Sequence, residues 1–304
     1  MKQTGMILVM LAWASFLPAQ QAKTPQNPPP STPNAAGTSQ PGATAALPQG
    51  KRPPQAKTQA EFDAYKAAVA TSSDPVAFGK AADDFAAKFP DSELRILLFK
   101  ASMHAFQNAN NAEQMSAAAD KVLKIDPDDP EALVGAAEVI AEHTSDTDLD
   151  KDQRWAQAQK YALRATETID TDVAIPAGTP QEKIDAYKGF VRSTAYSVLG
   201  TISFNQEKYP DAENYFRKSI EALPSQPDPV VVLRLAIALD KQNKYPEALK
   251  EANHAVALTP DGSVAGKLAR EERDRLVQLT GGAAPAPASK PAAGASPTQT
   301  PPSH

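Results

Sequence analysis

The stretch Tyr196-Ser-Val-Leu-Gly-Thr-Ile-Ser-Phe-Asn-Gln-Glu-Lys-Tyr-Pro-Asp-Ala-Glu-Asn-Tyr-Phe-Arg-Lys-Ser-Ile-Glu-Ala-Leu-Pro224 decides the fold. Apolar and small residues recur at helical spacing on both sides of one turn, so the segment reads as two short helices folded against each other. Gly200 and Ala212 are small where the two helices must cross closely, and Leu199 and Phe216 fill the space between them. Tyr209-Pro210-Asp211-Ala212 marks the turn, with proline at a helix start where its missing N–H costs nothing. Pro224 stops the second helix.

These positions, together with Tyr196 and Ser219, resemble the tetratricopeptide repeat, a helix–turn–helix unit of about 34 residues that stacks on copies of itself. The next unit keeps the register at Val232, Leu235, Ala236, Leu239, Ala248, Ala252, Ala255 and Pro260. Its turn, Lys244-Tyr245-Pro246-Glu247-Ala248, nearly copies Lys208-Tyr209-Pro210-Asp211-Ala212. The clearest repeats therefore span 193–226 and 229–262. Weaker units precede them: Phe62, Tyr65, Val69, Phe78, Ala82, Phe85 and Pro90, then Phe99, Met103, Phe106, Met115, Ala119, Val122 and Pro127. A third comprises Leu133, Ala136, Ala137, Ile140, Ala158, Ala162 and Ala165, with an enlarged loop around Thr144–Asp152. The phrase Phe85-Ala86-Ala87-Lys88-Phe89-Pro90-Asp91-Ser92 is also similar to repeats of bacterial envelope-assembly lipoproteins, although the chain lacks the cysteine that such lipoproteins acylate.

Composition divides the chain. Its 304 residues include 28 prolines, crowded at the two ends. Met1-Lys2, the apolar run Met6 to Leu17 and Pro18-Ala19 read as a signal peptide over 1–19. The run is about 12 residues, short of the 18 or so that span a bilayer, so no membrane span is expected once the signal is removed. A retained anchor and an untargeted apolar start are the alternatives. Residues 20–57 are expected to be a disordered Pro-rich linker, 58–280 the helical repeat domain, and 281–304 a disordered Ala/Pro-rich tail. The formal net charge of −5 offers no basic face for nucleic acid. The absence of cysteine removes disulfides, thiolate metal sites and cysteine nucleophiles.

Two features depart from a plain array. About 20 extra residues lie between Asp170 and Ser193; Thr179-Pro180-Gln181-Glu182 predicts an N-cap followed by a proline at the first helical position. The first helix of the fourth repeat is then about two turns longer than usual. Val173, Ala174, Ile175 and Pro176 give the inserted loop apolar content, suited either to shielding repeat three or to receiving a partner. After Pro260, Val264, Leu268, Leu276 and Leu279 predict the apolar side of a terminal capping helix.

Catalytic and metal chemistry find no foothold. Asp146, Asp148, Asp150 and Asp152 alternate as a calcium loop begins, but Lys151 stands where the sharp turn needs glycine and Gln157 where a bidentate glutamate should close the site. The run reads instead as a solvated acidic loop that ends in a helix cap. His104, His143, His254 and His304 fall in different units. No phosphate loop, nucleophile elbow or Ser/His/Asp arrangement is present in a recognisable context, so no cofactor, metal or enzymatic activity is expected.

The resemblance implies a right-handed all-α solenoid of about five helix-turn-helix repeats with a C-terminal capping helix. Its concave groove would be lined mainly by the first helix of each repeat. On this chain those positions are Lys100, His104, Gln107 and Asn108, then Glu131, Val134, Glu138 and Glu142. Ser197, Thr201, Phe204 and Asn205 follow, then Leu233, Ile237, Asp240 and Lys241. Family members that grip a partner's terminal carboxylate use Lys, Asn and Arg at such places; Ser197 and Thr201 occupy two of them here, leaving Arg234 as a lone cation. The expected function is a non-enzymatic scaffold, exported to the periplasm or secreted, that binds a protein or peptide partner in the groove. The alternative is a structural envelope-assembly component that uses its lateral surfaces.

Overall fold

The computed structural model describes residues 51–281; the expected signal peptide, most of the Pro-rich stretch and nearly all of the tail lie outside them. Among the described residues there are eleven helices: α1 (Gln59–Val69), α2 (Pro75–Lys88), α3 (Arg95–Asn108), α4 (Ala112–Ile125), α5 (Pro130–Glu142), α6 (Lys151–Thr168), α7 (Gln181–Asn205), α8 (Tyr209–Ala222), α9 (Pro229–Asp240), α10 (Tyr245–Leu258) and α11 (Val264–Leu279). Successive helices pack on one another, and α1 with α3, α5 with α7 and α9 with α11 also touch. The fold is all-α: five helix pairs stacked in sequence order, followed by one terminal helix. None of the described helices is long and apolar enough to cross a membrane.

Local chemistry sets the boundaries. Asp74, Asp129 and Asp228 accept hydrogen bonds from the first backbone N–H groups of α2, α5 and α9, each of which has a proline in its first turn. Pro90, Pro127, Pro224 and Pro260 each lie just beyond the end of a second helix. The turns after α3, α7 and α9 share one geometry. Asn110, Glu207 and Asn243 have φ of 55°, 58° and 59°. The following N–H groups of Asn111, Lys208 and Lys244 reach back to the carbonyls of Phe106, Ser203 and Leu239 at 2.9, 2.9 and 3.0 Å. This is the Schellman closure of a helix end. Its recurrence at three first helices fixes the repeat register independently of the apolar pattern.

The core runs along the array as successive clusters. Phe78, Leu98, Met103 and Phe106 lead the first, Trp155, Leu199 and Ile202 a middle one, and Phe216, Leu235, Leu239, Leu249 and Leu276 the last. The repeat residues Leu199, Gly200, Ala212, Phe216, Leu235, Ala236, Ala248 and Ala252 are all buried. Tyr196 is half-buried and stacks on Tyr215 at 6.4 Å between ring centroids.

Four expectations are corrected. The Pro-rich linker, expected to run to Lys57, is ordered from Lys51 by contacts to three loops, described below. Thr179 is not the cap of α7: its hydroxyl donates to the Pro176 carbonyl at 2.8 Å, and extended Pro180 takes the N-cap position without a side-chain bond. Proline has no hydroxyl or carboxylate to offer, so this helix starts without a side-chain cap; at 25 residues it is about three turns longer than α3 with its 14, where about two turns were expected. The capping helix buries Gly266, Ala269 and Leu276, while Val264, Leu268 and Leu279 are 71, 50 and 50% exposed. The buried face lies about a quarter-turn from the expected apolar side: Ala269 packs against Val232, Leu233 and Ala255, Leu276 joins the cluster of Leu235, Leu239 and Leu249, and Val264, Leu268 and Leu279 turn outward. Finally, Asp150 sits at the N-cap of α6 but makes no side-chain cap bond.

The inserted loop folds back on the array. Val173 is 6% exposed and packs with Leu133, Val134, Ala165, Ile169, Val191 and Ala195, and Ile175 lies against the same cluster. Burying one branched side chain in this way contributes about 1.5–3 kcal/mol toward the ordering of the loop.

Candidate functional site

Side-chain bonds tie the first helices of repeats two to five into one polar surface. On α3, Lys100 Nζ pairs with Asp129 at 3.0 Å and with Glu131 at 2.6 Å. His104 Nε2 contacts the other oxygen of Glu131. From α7, the Tyr187 hydroxyl donates to Glu131 Oε2 at 3.0 Å. Glu131 is thus held by groups from two neighbouring helices. Burial opposes its charge, but Lys100 and His104 outweigh burial and keep the carboxyl well below the usual carboxylate range. Burial likewise opposes charge on His104 and Lys100, and the facing carboxylates outweigh it, leaving both raised.

Two turns along α5 the balance reverses. Glu138 accepts a bond from Gln107 Nε2 at 3.3 Å. Its carboxyl is pushed up to about 7, first by burial and then by the nearby charges of Glu142 and Asp228, against which Arg234 only partly pulls. Arg234 on α9 spends its hydrogen bond elsewhere, donating from Nη1 to Thr201 Oγ1 at 2.8 Å, and Thr201 donates in turn to the Ser197 carbonyl at 2.9 Å. A cavity of about 30 Å³ lies among these groups, lined by Glu138 and Glu142 of α5, Thr194, Ser197 and Thr201 of α7, and Arg234 of α9.

Of the residues expected in the groove, Lys100, His104 and Gln107 join the α3–α5 network, while Glu138, Ser197 and Thr201 surround the cavity. Asn108 and Lys241 are exposed and Asn205 is half-buried. Phe204 packs against the cluster of Phe216 and Leu235, edge-on to Tyr209 at 5.4 Å, and Ile237 packs against Val232, Leu233, Ala255 and Ala269. Asp129, Tyr187 and Thr194 also belong to this surface, beyond the positions that the repeat pattern implies. Tyr187 meets Glu131 across 56 positions of chain, a contact that no local spacing signals. Asp129 could have been found: it precedes the Pro130 that opens a helix, the position of a capping acid.

A second cavity, of about 380 Å³, lies on the opposite flank of α3 between α2 and α4. Phe99, Phe106 and Gly79 line it, and the Lys121–Asp83 ion pair spans it at 2.7 Å. In the loop between α5 and α6, Asp148 accepts from the Ser145 N–H at 2.9 Å and from Arg154 at 3.4 Å, which makes it a turn-former rather than a free ligand.

No protein-family model and no curated protein sequence matches this chain. Among solved structures it is similar to PilF of Pseudomonas aeruginosa, with 16% identity and a TM-score of 0.52 over 74% of this chain and 87% of that one. It is also similar to TTC0263, a thermophilic TPR protein of Thermus thermophilus (11% identity, TM-score 0.42, 72% and 98% coverage). A third is Acl4, an assembly chaperone of RpL4 (13% identity, TM-score 0.39, 72% and 96%). The likeness to PilF establishes the fold, a tetratricopeptide-like helical repeat; the other two scores are too low to add weight.

Proposed function

We propose that this protein is a non-enzymatic interaction scaffold that receives an extended or helical segment of another protein along the surface formed by α3, α5, α7 and α9. The observation that carries this reading is the convergence of Glu138, Glu142, Thr194, Ser197, Thr201 and Arg234, from three first helices, on one cavity. Acceptors, hydroxyls and a cation there sit on rigid helices already bonded to one another, so a docking segment meets a preorganised surface. Stacked helix pairs present extended surfaces of this kind for binding. A photo-crosslinking residue placed at Ser197 or Thr201 in cells tests the reading, with the exposed Lys250 of α10 as the outer-face control. Capture of a defined partner from the first two positions and not from Lys250 supports it. Equal capture from both faces, or capture from Lys250 alone, would sink it.

Export is part of the same proposal and rests on the charged start and apolar run before Pro18. Cell fractionation with N-terminal sequencing checks it: a mature chain beginning near Gln20 or Gln21 outside the cytoplasm is expected. A cytoplasmic chain that retains Met1 rejects it.

A further inference from the structure

The residues before α1 form a short segment seated on loops of the array. From Lys57 back to Lys51 the chain crosses loops that belong to three repeats. Lys57 Nζ donates to the Asp91 carbonyl at 2.7 Å. Glu93 accepts from the Gln55 N–H at 3.0 Å and takes both its oxygens to Arg52 Nη2, at 2.7 and 2.9 Å. Lys51 Nζ lies between two carboxylates, Asp126 at 2.8 Å and Asp172 at 2.6 Å. Its backbone forms a parallel β-bridge with Ala174 in the inserted loop. Glu93 follows α2, Asp126 follows α4, and Asp172 and Ala174 follow α6, so the seat exists only once the repeats have stacked.

The seat has the elements of peptide recognition. A backbone edge at Ala174 fixes an extended strand. Two carboxylates receive an ammonium and a third receives a guanidinium by charge-assisted bonds. Burial works against the charge of Lys51, but Asp126 and Asp172 more than offset it, so the amine stays protonated in place. Pro53 and Pro54 hold the following residues extended beforehand, which lowers the ordering cost of docking. The occupant is nonetheless easy to lift: the side chains of Lys51 and Arg52 are 42 and 60% exposed, and such pairs are individually weak and screened by salt. Attachment to α1 keeps them docked by supplying an effective concentration on the order of millimolar.

We propose that this loop edge is a binding site for an extended Lys-Arg-Pro-Pro peptide segment of another protein, masked in the resting molecule by the chain's own Lys51–Arg52. The site is separate from the α3–α5–α7–α9 surface, and its existence does not depend on what that surface binds.

The test uses the full chain carrying Lys51→Glu/Arg52→Glu, which drives the strap off its carboxylates. The probe is an acetylated, fluorescently labelled peptide of residues 51–58, Lys-Arg-Pro-Pro-Gln-Ala-Lys-Thr. At low salt, anisotropy should show the peptide binding this variant at least about tenfold more tightly than the parent chain, with affinity falling as salt rises. Adding Glu93→Gln, Asp126→Asn and Asp172→Asn to the same variant should abolish binding. If circular dichroism shows that the charge reversal disturbs the helices, Lys51→Ala/Arg52→Ala vacates the seat instead. Equal binding to parent and vacated chains, no binding to either, or binding indifferent to the three carboxylates overturns the proposal.

Discussion

A β-carbon placed on Gly200 would lie 2.5 Å from both Cδ1 and Cε1 of Phe216. The Phe216 ring is fully buried among Leu235, Ala236 and their neighbours, so it cannot swing aside as a surface side chain would. The smallness of residue 200 is therefore a packing requirement of α7 on α8. Gly200→Ala should lower stability despite the gain in helix propensity, and Gly200→Leu should cost about 1–3 kcal/mol through overpacking. Thermal melts check this. Combining Gly200→Ala with Phe216→Leu should recover part of the loss, and strictly additive effects would contradict the contact.

Glu207 occupies the left-handed position that Asn110 and Asn243 fill in the equivalent turns. A glutamate there carries the steric cost of positive φ without asparagine's tolerance for it. Glu207→Asn should stabilise the chain by about 0.5–1 kcal/mol, read as a higher denaturant midpoint at unchanged slope.

Glu131 is the hub between α3 and α7. Its folded-state pKa is depressed, so its contribution is present above the unfolded value of about 4.5 and is lost as pH falls toward the folded one. Glu131→Gln should cost about 1–3 kcal/mol at pH 7, less than a fully buried pair because Lys100 keeps Asp129 and some solvent. The acid limb of the stability profile should flatten in the same variant.

Glu138 has the opposite sign. Its carboxyl titrates at about 7 in the fold against 4.5 for the ordinary group, so the native state binds this proton more tightly than the unfolded chain does. Its contribution is complete below about pH 4.5 and is lost as pH rises through about 7. Glu138→Gln should match the parent at about pH 4 and exceed it by about 1–3 kcal/mol above pH 8. Urea denaturation at the two pH values decides. A variant that is less stable at high pH would mean that the carboxylate is better compensated than its neighbours allow.

The terminal helix separates two leucines that look alike in sequence. Leu276 is fully buried and Leu268 is half exposed. Leu276→Ala should cost about 2–4 kcal/mol, and Leu268→Lys should fall within about 0.5 kcal/mol of the parent. The reverse ranking in thermal melts would restore the stripe inferred from periodicity.

What the sequence by itself determined is local. The helix pairs, the turn prolines and the crossing at Gly200 and Phe216 are all written within spans of about one repeat, because helix periodicity and turn chemistry act over a few residues. The tertiary structure alone decided which face of α11 turns inward, since Val264, Leu268 and Leu276 are equally apolar and only the space left by α9 and α10 distinguishes them. It also decided that Thr179 bonds back to Pro176 instead of capping α7. The meeting of Tyr187 with Glu131 and of Lys51 with Asp126 and Asp172 spans 56 residues in the first case and 75 to Asp126 in the second. A lysine beside prolines reads as solvated linker until stacking brings carboxylates from separate loops to one edge. Such pairings depend on the stacking geometry of the repeats, which no window of sequence contains.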